Sequence, residues 1–157
     1  MATLRKKDKA RSRRRPSSAP RKKFRRSTAR RASTDDVELR PGKSKTATTL
    51  PEGAARLFWH VFHKGSRAGR AFIVALNPES KDHPDASITV ELNEASQGRG
   101  IGTIAFRRAS ELSGYIEVSA SIKKSNIASK IAASRAGFEI LEDEPGRALV
   151  MVWRKRS

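Results

Sequence analysis

The sequence predicts an α/β (α+β) domain of element order β-β-β-α-β-α-β-β, preceded by a basic tail that builds no core. Three observations lead there. Strand-like aromatic, β-branched and alternating apolar residues run up to residue 92, apolar residues recur at helical spacing from Ile101, and alternation returns near residue 116. A glycine cluster marks the first of these changes, at Gly98, Gly100 and Gly102. Charge is concentrated at one end: residues 1–31 carry fifteen Lys/Arg and one acid, Asp8, and so hold +14 of the chain's +18.

In the tail, Leu4 and Phe24 are the large apolar residues beyond Met1. Ordering a chain costs roughly 1–2 kcal/mol per residue, which so little apolar surface cannot offset. Residues 1–50 are therefore expected to be a disordered basic arm and linker, and residues 51–157 the folded domain.

Residues 57–62 are aromatic and β-branched and read as a strand. Residues 64–69 form a turn, and 71–76 a second strand that completes a hairpin. A polar loop with two prolines leads to a third strand, where Ile88, Val90 and Leu92 alternate with Thr89, Glu91 and Asn93. Ile101, Ile104, Ala105, Ala109 and Leu112 outline a helix that stops at Gly114. Ile116, Val118, Ala120 and Ile122 share one face of a fourth strand. Ser125 is read as the N-cap of a second helix with Ile127, Ala128, Ile131 and Ala132 on its apolar face. Gly137 closes that helix. Residues 138–141 and 148–153 are the last strands, joined through an acidic turn.

The chain has no cysteine, which excludes disulfides, thiolate zinc sites and a cysteine nucleophile and fits a reducing cytoplasm. No metal is expected. No apolar run approaches the ~18–20 residues of a membrane span, so no membrane partner is expected. No apolar segment follows the basic start, so no secretory leader is expected, and the tail's many lysines argue against an organelle transit peptide. The expected location is the cytoplasm, with association to a nucleoid or nucleus through the arm.

The loop Gln97-Gly98-Arg99-Gly100-Ile101-Gly102 stands between a strand and a helix. That context suits a phosphate group: glycines admit close backbone approach, and the unpaired N–H groups and dipole of the helix start favour an anion. Arg99 adds a cation. The spacing is not that of the dinucleotide fingerprint, and the Gly-Lys-Ser/Thr of a P-loop is missing. A plain glycine-rich turn is the competing reading.

Gln97-x-x-Gly100-x-Gly102 resembles the Gln/Arg-x-x-Gly-x-Gly/Ala signature of the GCN5-related N-acetyltransferase (GNAT) superfamily. Asn126, Ser129, Gly137 and Phe138 stand at the spacings of a second segment of that family. The resemblance covers about 100 residues and implies a mixed, mostly antiparallel central sheet. It implies acetyl-CoA, or another acyl-CoA, as co-substrate. The backbone of Leu92, Asn93 and Glu94 would pair with the pantetheine arm. The amides of Gln97, Gly98, Arg99, Gly100, Ile101 and Gly102, with Thr103, would cradle the pyrophosphate. Asn126, with Ser129 beside it, would bond the pantetheine or a phosphate oxygen, and Arg135 would lie toward the adenosine. Capping of the second helix is the competing role for Asn126.

Two departures stand out. Where many members carry a tyrosine that protonates the CoA thiolate, this chain has Ala133; its single tyrosine, Tyr115, starts a strand. The strand and two helices that usually begin the family and wall the acceptor site are replaced by the basic tail. An amine acceptor must lose a proton before attack, so a general base is needed. Glu91 is the first candidate and Glu117 the second, followed by Asp85, His60 and His63; for each, an ordinary solvated or paired group is the competing reading.

The leading expectation is an acyl-CoA-dependent N-acyltransferase moving acetyl to a primary amine of unspecified identity by direct attack. The alternative is a catalytically degenerate protein of the same fold that binds CoA, nucleic acid, or both. DNA or RNA is the expected partner of residues 1–31, bound through phosphates without base reading; a solubilising extension is the competing role. Arg30-Arg31-Ala32-Ser33 resembles a basophilic-kinase site. A homodimer is compatible with all of these readings.

Overall fold

The computed structural model describes residues 30–44, 49–80 and 85–157. Four strands come first: β1 (Val37–Pro41), β2 (Ala55–His63), β3 (Ser66–Ala75) and β4 (Ala86–Leu92). Helix α1 (Ile101–Ser113), β5 (Glu117–Ile122), α2 (Ile127–Arg135), β6 (Glu139–Glu142) and β7 (Leu149–Arg154) follow. The strands form one seven-stranded sheet of order β1-β2-β3-β4-β5-β7-β6, antiparallel throughout except at β4–β5. The mixed, mostly antiparallel class expected from the sequence is thus the class observed.

The element order gains a strand. Residues 37–41, placed in the arm and linker by composition, form β1 and pair with β2 from Val37↔His63 to Pro41↔Trp59. Val37 is almost fully buried and Leu39 packs against the core. Arg108 of α1 donates to the Val37 carbonyl, tying the strand to the helix layer. Ser33 caps the 3-10 turn Thr34–Asp36 that feeds β1 by accepting from the Asp35 N–H. The fold therefore begins before residue 51. The disorder expected for residues 1–29 lies outside the described residues.

One face of the sheet carries Trp59 and Val61 from β2, Ala71, Ile73 and Ala75 from β3, Ile88 from β4, and Val118, Ala120 and Ile122 from β5, all buried in one cluster with α1. Full burial of each large member contributes roughly 1.5–3 kcal/mol. The opposite face carries Phe58 and Phe72, nearly parallel with centroids 6.4 Å apart, beside Arg56, His60 and Arg70. Helix α1 buries Ile101, Ala105, Phe106 and Ala109, while Leu112 is exposed.

Helix α2 differs from expectation in two ways. Asn126, not Ser125, is its N-cap. Its buried side is Ala133, with Ala132 half-buried, whereas Ile127 and Ile131 are exposed. The reason is close packing: a Cβ on Gly102 of α1 would lie 3.5 Å from the Ala132 Cβ. Only small side chains fit between helices that near. No helix among the described residues is long and apolar enough to cross a membrane.

Candidate functional site

The site is built where β4 and β5 part. These parallel strands share one paired position, Ser87↔Ser119, reinforced by the Ser119 hydroxyl donating to the Ala86 carbonyl at 3.0 Å. Beyond it β4 runs to Leu92 and β5 to Ile122 without a further paired position. Backbone groups alternate in direction along a strand. Asn93 N–H bonds back to Ala68 O of β3 at 2.8 Å, so Val90 and Leu92 direct theirs toward β5. There the Leu92 carbonyl accepts from the Gln97 side chain at 3.2 Å. An exposed strand edge opposite a diverging neighbour can pair with an amide-bearing ligand.

Only part of the expected segment offers its backbone to that gap. The Asn93 N–H is committed to β3, and its side-chain amide donates to the Arg67 carbonyl at 2.9 Å. Glu94 begins the 3-10 turn Glu94–Ser96. Leu92 is the member of the trio on the open edge.

The glycine loop closes one end of the gap. Gly98 and Gly100 have φ of +73° and +82°, and Gly100 is the N-cap of α1. Such left-handed positions cost an L-residue roughly 1–2 kcal/mol, so glycine is required by conformation. The space around both is open. No side chain caps α1 and no acid lies in its first turn, so the N–H groups of Ile101, Gly102 and Thr103 lack intrahelical acceptors. That is a ready anion cradle. Arg99 is half-buried, and its carbonyl accepts from the Ala32 N–H at 2.8 Å, which lays residues 30–33 beside the loop.

Across the gap lies the start of α2. Asn126 Oδ1 accepts from the Ser129 N–H at 3.1 Å, so the capping role is the one its oxygen plays, and its amide N–H₂ is left to donate. Asn126→Ala should therefore cost about 1 kcal/mol of stability, read as a lower midpoint of thermal unfolding. Lys124, just upstream, bonds Asp143 at 2.5 Å and the Glu144 carbonyl at 2.6 Å, pinning this wall to the β6–β7 turn. Hydrogen bonding and charge attraction from Lys124 hold the Asp143 carboxyl below its usual range. Arg135 ends α2, and its carbonyl accepts from Arg107 at 2.8 Å. Ala133 is fully buried in the core.

On the sheet face that carries Arg70, a cavity of about 460 Å³ opens at the end of β4, lined by Arg67, Gly69, Arg70, Glu91, Leu92 and Asn93. Gly69 sits opposite Leu92, and a Cβ there would meet the Glu91 carbonyl oxygen at 2.1 Å. Glycine lets β3 and β4 approach at this point. Ala68 is an extra residue on β3 facing the Val61/Phe62 step of β2, a β-bulge of the kind that re-aims a strand end.

The two carboxylates singled out as bases are not brought together. Glu91 lines the cavity and is ion-paired with Arg70 at 2.6 Å. Glu117 is paired with Arg154 at 2.9 Å. The Ser87↔Ser119 register sets Glu117 six positions behind Glu91, about 20 Å along the sheet. Asp85, at the start of β4, and Tyr115, before β5, are also at that remote end. His60 packs edge-on against Phe58 at 5.1 Å. His63 lies at the hairpin end of β2, beside Lys64. Arg70, missed in the sequence, is set by strand register 21 residues from its partner. Among the described residues no cluster of His, Asp or Glu could hold a metal ion.

No protein-family model and no curated protein matches the sequence. Solved structures do match. The aminoglycoside acetyltransferase AAC(6')-Ib, in complex with paromomycin and acetyl-CoA, superposes with a TM-score of 0.52 at 22% identity, over 64% of this chain and 65% of that one. RimL, a ribosomal alpha-N-protein acetyltransferase in complex with coenzyme A, gives 0.53 at 20% identity, over 63% and 62%. The Campylobacter jejuni N-acetyltransferase PseH gives 0.52 at 15%, over 64% and 69%. The fold is that of the GNAT acetyltransferases. The chain spans less than two thirds of the length of the first two. Within this fold a Cβ on Gly102 would lie 3.6 Å from Leu92 of β4 and 3.5 Å from Ala132 of α2, so the end of β4, the glycine loop and α2 are neighbours.

Proposed function

We propose that the protein is an acyl-CoA-dependent N-acyltransferase that moves acetyl to a primary amine. The observation that carries this reading is the single-pair junction of β4 and β5, which opens directly onto an uncapped, acid-free helix start. The residues fit the cofactor. The left-handed glycines are surrounded by open space, the first-turn amides of α1 lack acceptors, and the open edge of β4 bears the Leu92 backbone. The backbone amides of Gln97, Gly98, Arg99, Gly100, Ile101 and Gly102, with Thr103, would hold the pyrophosphate, Val90 and Leu92 the pantetheine amides, and the amide donors of Asn126 the near end of the same arm. Acetyl-CoA supplies the acyl group as an activated thioester.

Glu91 would take the acceptor's proton, directly or through water. It borders the cavity at the end of β4 and is oriented by Arg70. Glu117 is too far along the sheet to share the task. Ala133 offers no proton to the departing thiolate; a thiol pKa near 8.5 lets water do so. AAC(6')-Ib was solved with aminoglycosides and RimL with coenzyme A, which supports an amine as the acceptor here.

Calorimetry with acetyl-CoA on the wild type and on Gly100→Glu tests the cofactor assignment. The variant adds a carboxylate and strain where the pyrophosphate would lie, and binding should weaken at least about tenfold, or 1.4 kcal/mol. Equal binding, or none by the wild type, would overturn the assignment.

A further inference from the structure

A second cavity, of about 580 Å³, adjoins the first and shares Arg67 and Asn93 with it. Its basic lining comes from three separate segments: Arg30 from the chain before β1, His63, Lys64 and Arg67 from the β2–β3 hairpin, and Arg99 from the glycine loop. None of its lining residues is acidic. The arrangement has local causes. Lys64 and Gly65 both have positive φ, 49° and 77°, giving a two-residue turn that turns Lys64 and Arg67 to the same end of the hairpin. The Ala32 N–H on the Arg99 carbonyl and the Lys64 N–H on the Asp36 carbonyl, both 2.8 Å, bring Arg30 against that end. Asp36 lies at the rim, 3.9 Å from the Lys64 ammonium, too far for a tight pair. His63 Nε2 is buried without a partner among the described residues.

Among the described residues only Lys64 of this group has an acidic partner, and such concentrated positive charge in a concave site calls for a polyanion with closely spaced charges. Arg30, which lines the cavity, is the last but one residue of the stretch 1–31 that carries +14. We propose that this cavity binds the sugar–phosphate backbone of a nucleic acid, continuing the basic arm onto the folded domain. The bound strand then passes the mouth of the Glu91 cavity through Arg67 and Asn93. Its placement beside an acceptor site rests on the proposed acyltransferase activity; the binding itself does not.

The test uses the full chain and a fluorescently labelled single-stranded RNA of about 20 nucleotides, with anisotropy read against salt. Lys64→Gln with Arg67→Gln is compared with a charge-matched arm variant, Arg13→Gln with Arg14→Gln. The cavity variant should bind about tenfold more weakly and lower the slope of log K against log salt by about 1.4, two contacts at roughly 0.7 each. The arm variant should change affinity less than about threefold. Equal losses in the two variants would mean that bulk charge alone binds RNA and would overturn the proposal, as would no RNA binding by the wild type. Acetyl-CoA titrations separate the remaining case. Retained acetyl-CoA binding by the cavity variant, without displacement of RNA, supports a separate site. Loss of acetyl-CoA binding in that variant, or displacement of RNA by acetyl-CoA, assigns the cavity to the cofactor and overturns the proposal. If the wild type binds RNA but not acetyl-CoA, the cofactor assignment fails while the RNA comparison still decides this one.

Discussion

Replacing Gly69 by alanine is expected to destabilise the protein by about 3 kcal/mol or more and to lower its thermal midpoint by roughly 10 °C or more. The added Cβ would stand 2.1 Å from the Glu91 carbonyl oxygen and 2.8 Å from the Leu92 Cα. Both are backbone atoms, so no rotamer change relieves the clash; β3 and β4 must separate. Separation would also disturb the Asn93 N–H bond to Ala68 and the aim of the Leu92 edge. A contrasting substitution is Gly102→Ala, whose Cβ would meet its neighbours at 3.5 and 3.6 Å, ordinary contact distances. That variant should unfold close to the wild-type temperature. Thermal unfolding of the two variants in parallel checks the claim, and a Gly69→Ala protein as stable as wild type would contradict it.

Glu91→Gln is expected to lower kcat about 100-fold or more with a reactive amine, while the acetyl-CoA dissociation constant stays within about threefold. The substitution keeps the side chain's shape and removes its ability to take a proton. It also leaves Arg70 without its carboxylate partner, so Arg70→Gln is the needed companion: positioning alone would make the two variants lose rate alike. Glu117→Gln should change kcat less than about threefold, because its ion pair with Arg154 sits at the other end of the sheet. Unaltered turnover in Glu91→Gln would move the base elsewhere.

The sequence made the helix start and the glycine loop legible because both are local. Ile101, Ala105 and Ala109 repeat at helical spacing, and Gly100 and Gly114, at the two ends of α1, both adopt left-handed backbone. Strand β1 was not legible. Only Val37 and Leu39 of its five residues are large and aliphatic, Arg40 and Pro41 follow them, and polar and charged residues flank it on both sides. Its order comes from pairing with β2, roughly twenty residues away, which no local window contains. The isoleucines of α2 misled for a related reason. Periodicity identified a helix, but the near approach of α1 selected the alanine side for burial. The two carboxylates were equivalent by alternation, and only the β4–β5 register distinguishes them. Their arginine partners are 21 and 37 residues distant and equally invisible to a local reading.

The single paired position between β4 and β5 makes the sheet two leaves joined by a narrow seam. One leaf, β1 to β4, and the other, β5 to β7, each have full internal ladders. The leaves are held together by that seam, by the core cluster they share under α1 and by the α1–α2 contact, and a guest that bonds to both edges would add mortar to the joint. By mass action, a guest held only by the native state adds about 2.7 kcal/mol at a hundred times its dissociation constant. With acetyl-CoA bound as proposed, the opening that admits the guest would also be the place where the guest welds the fold.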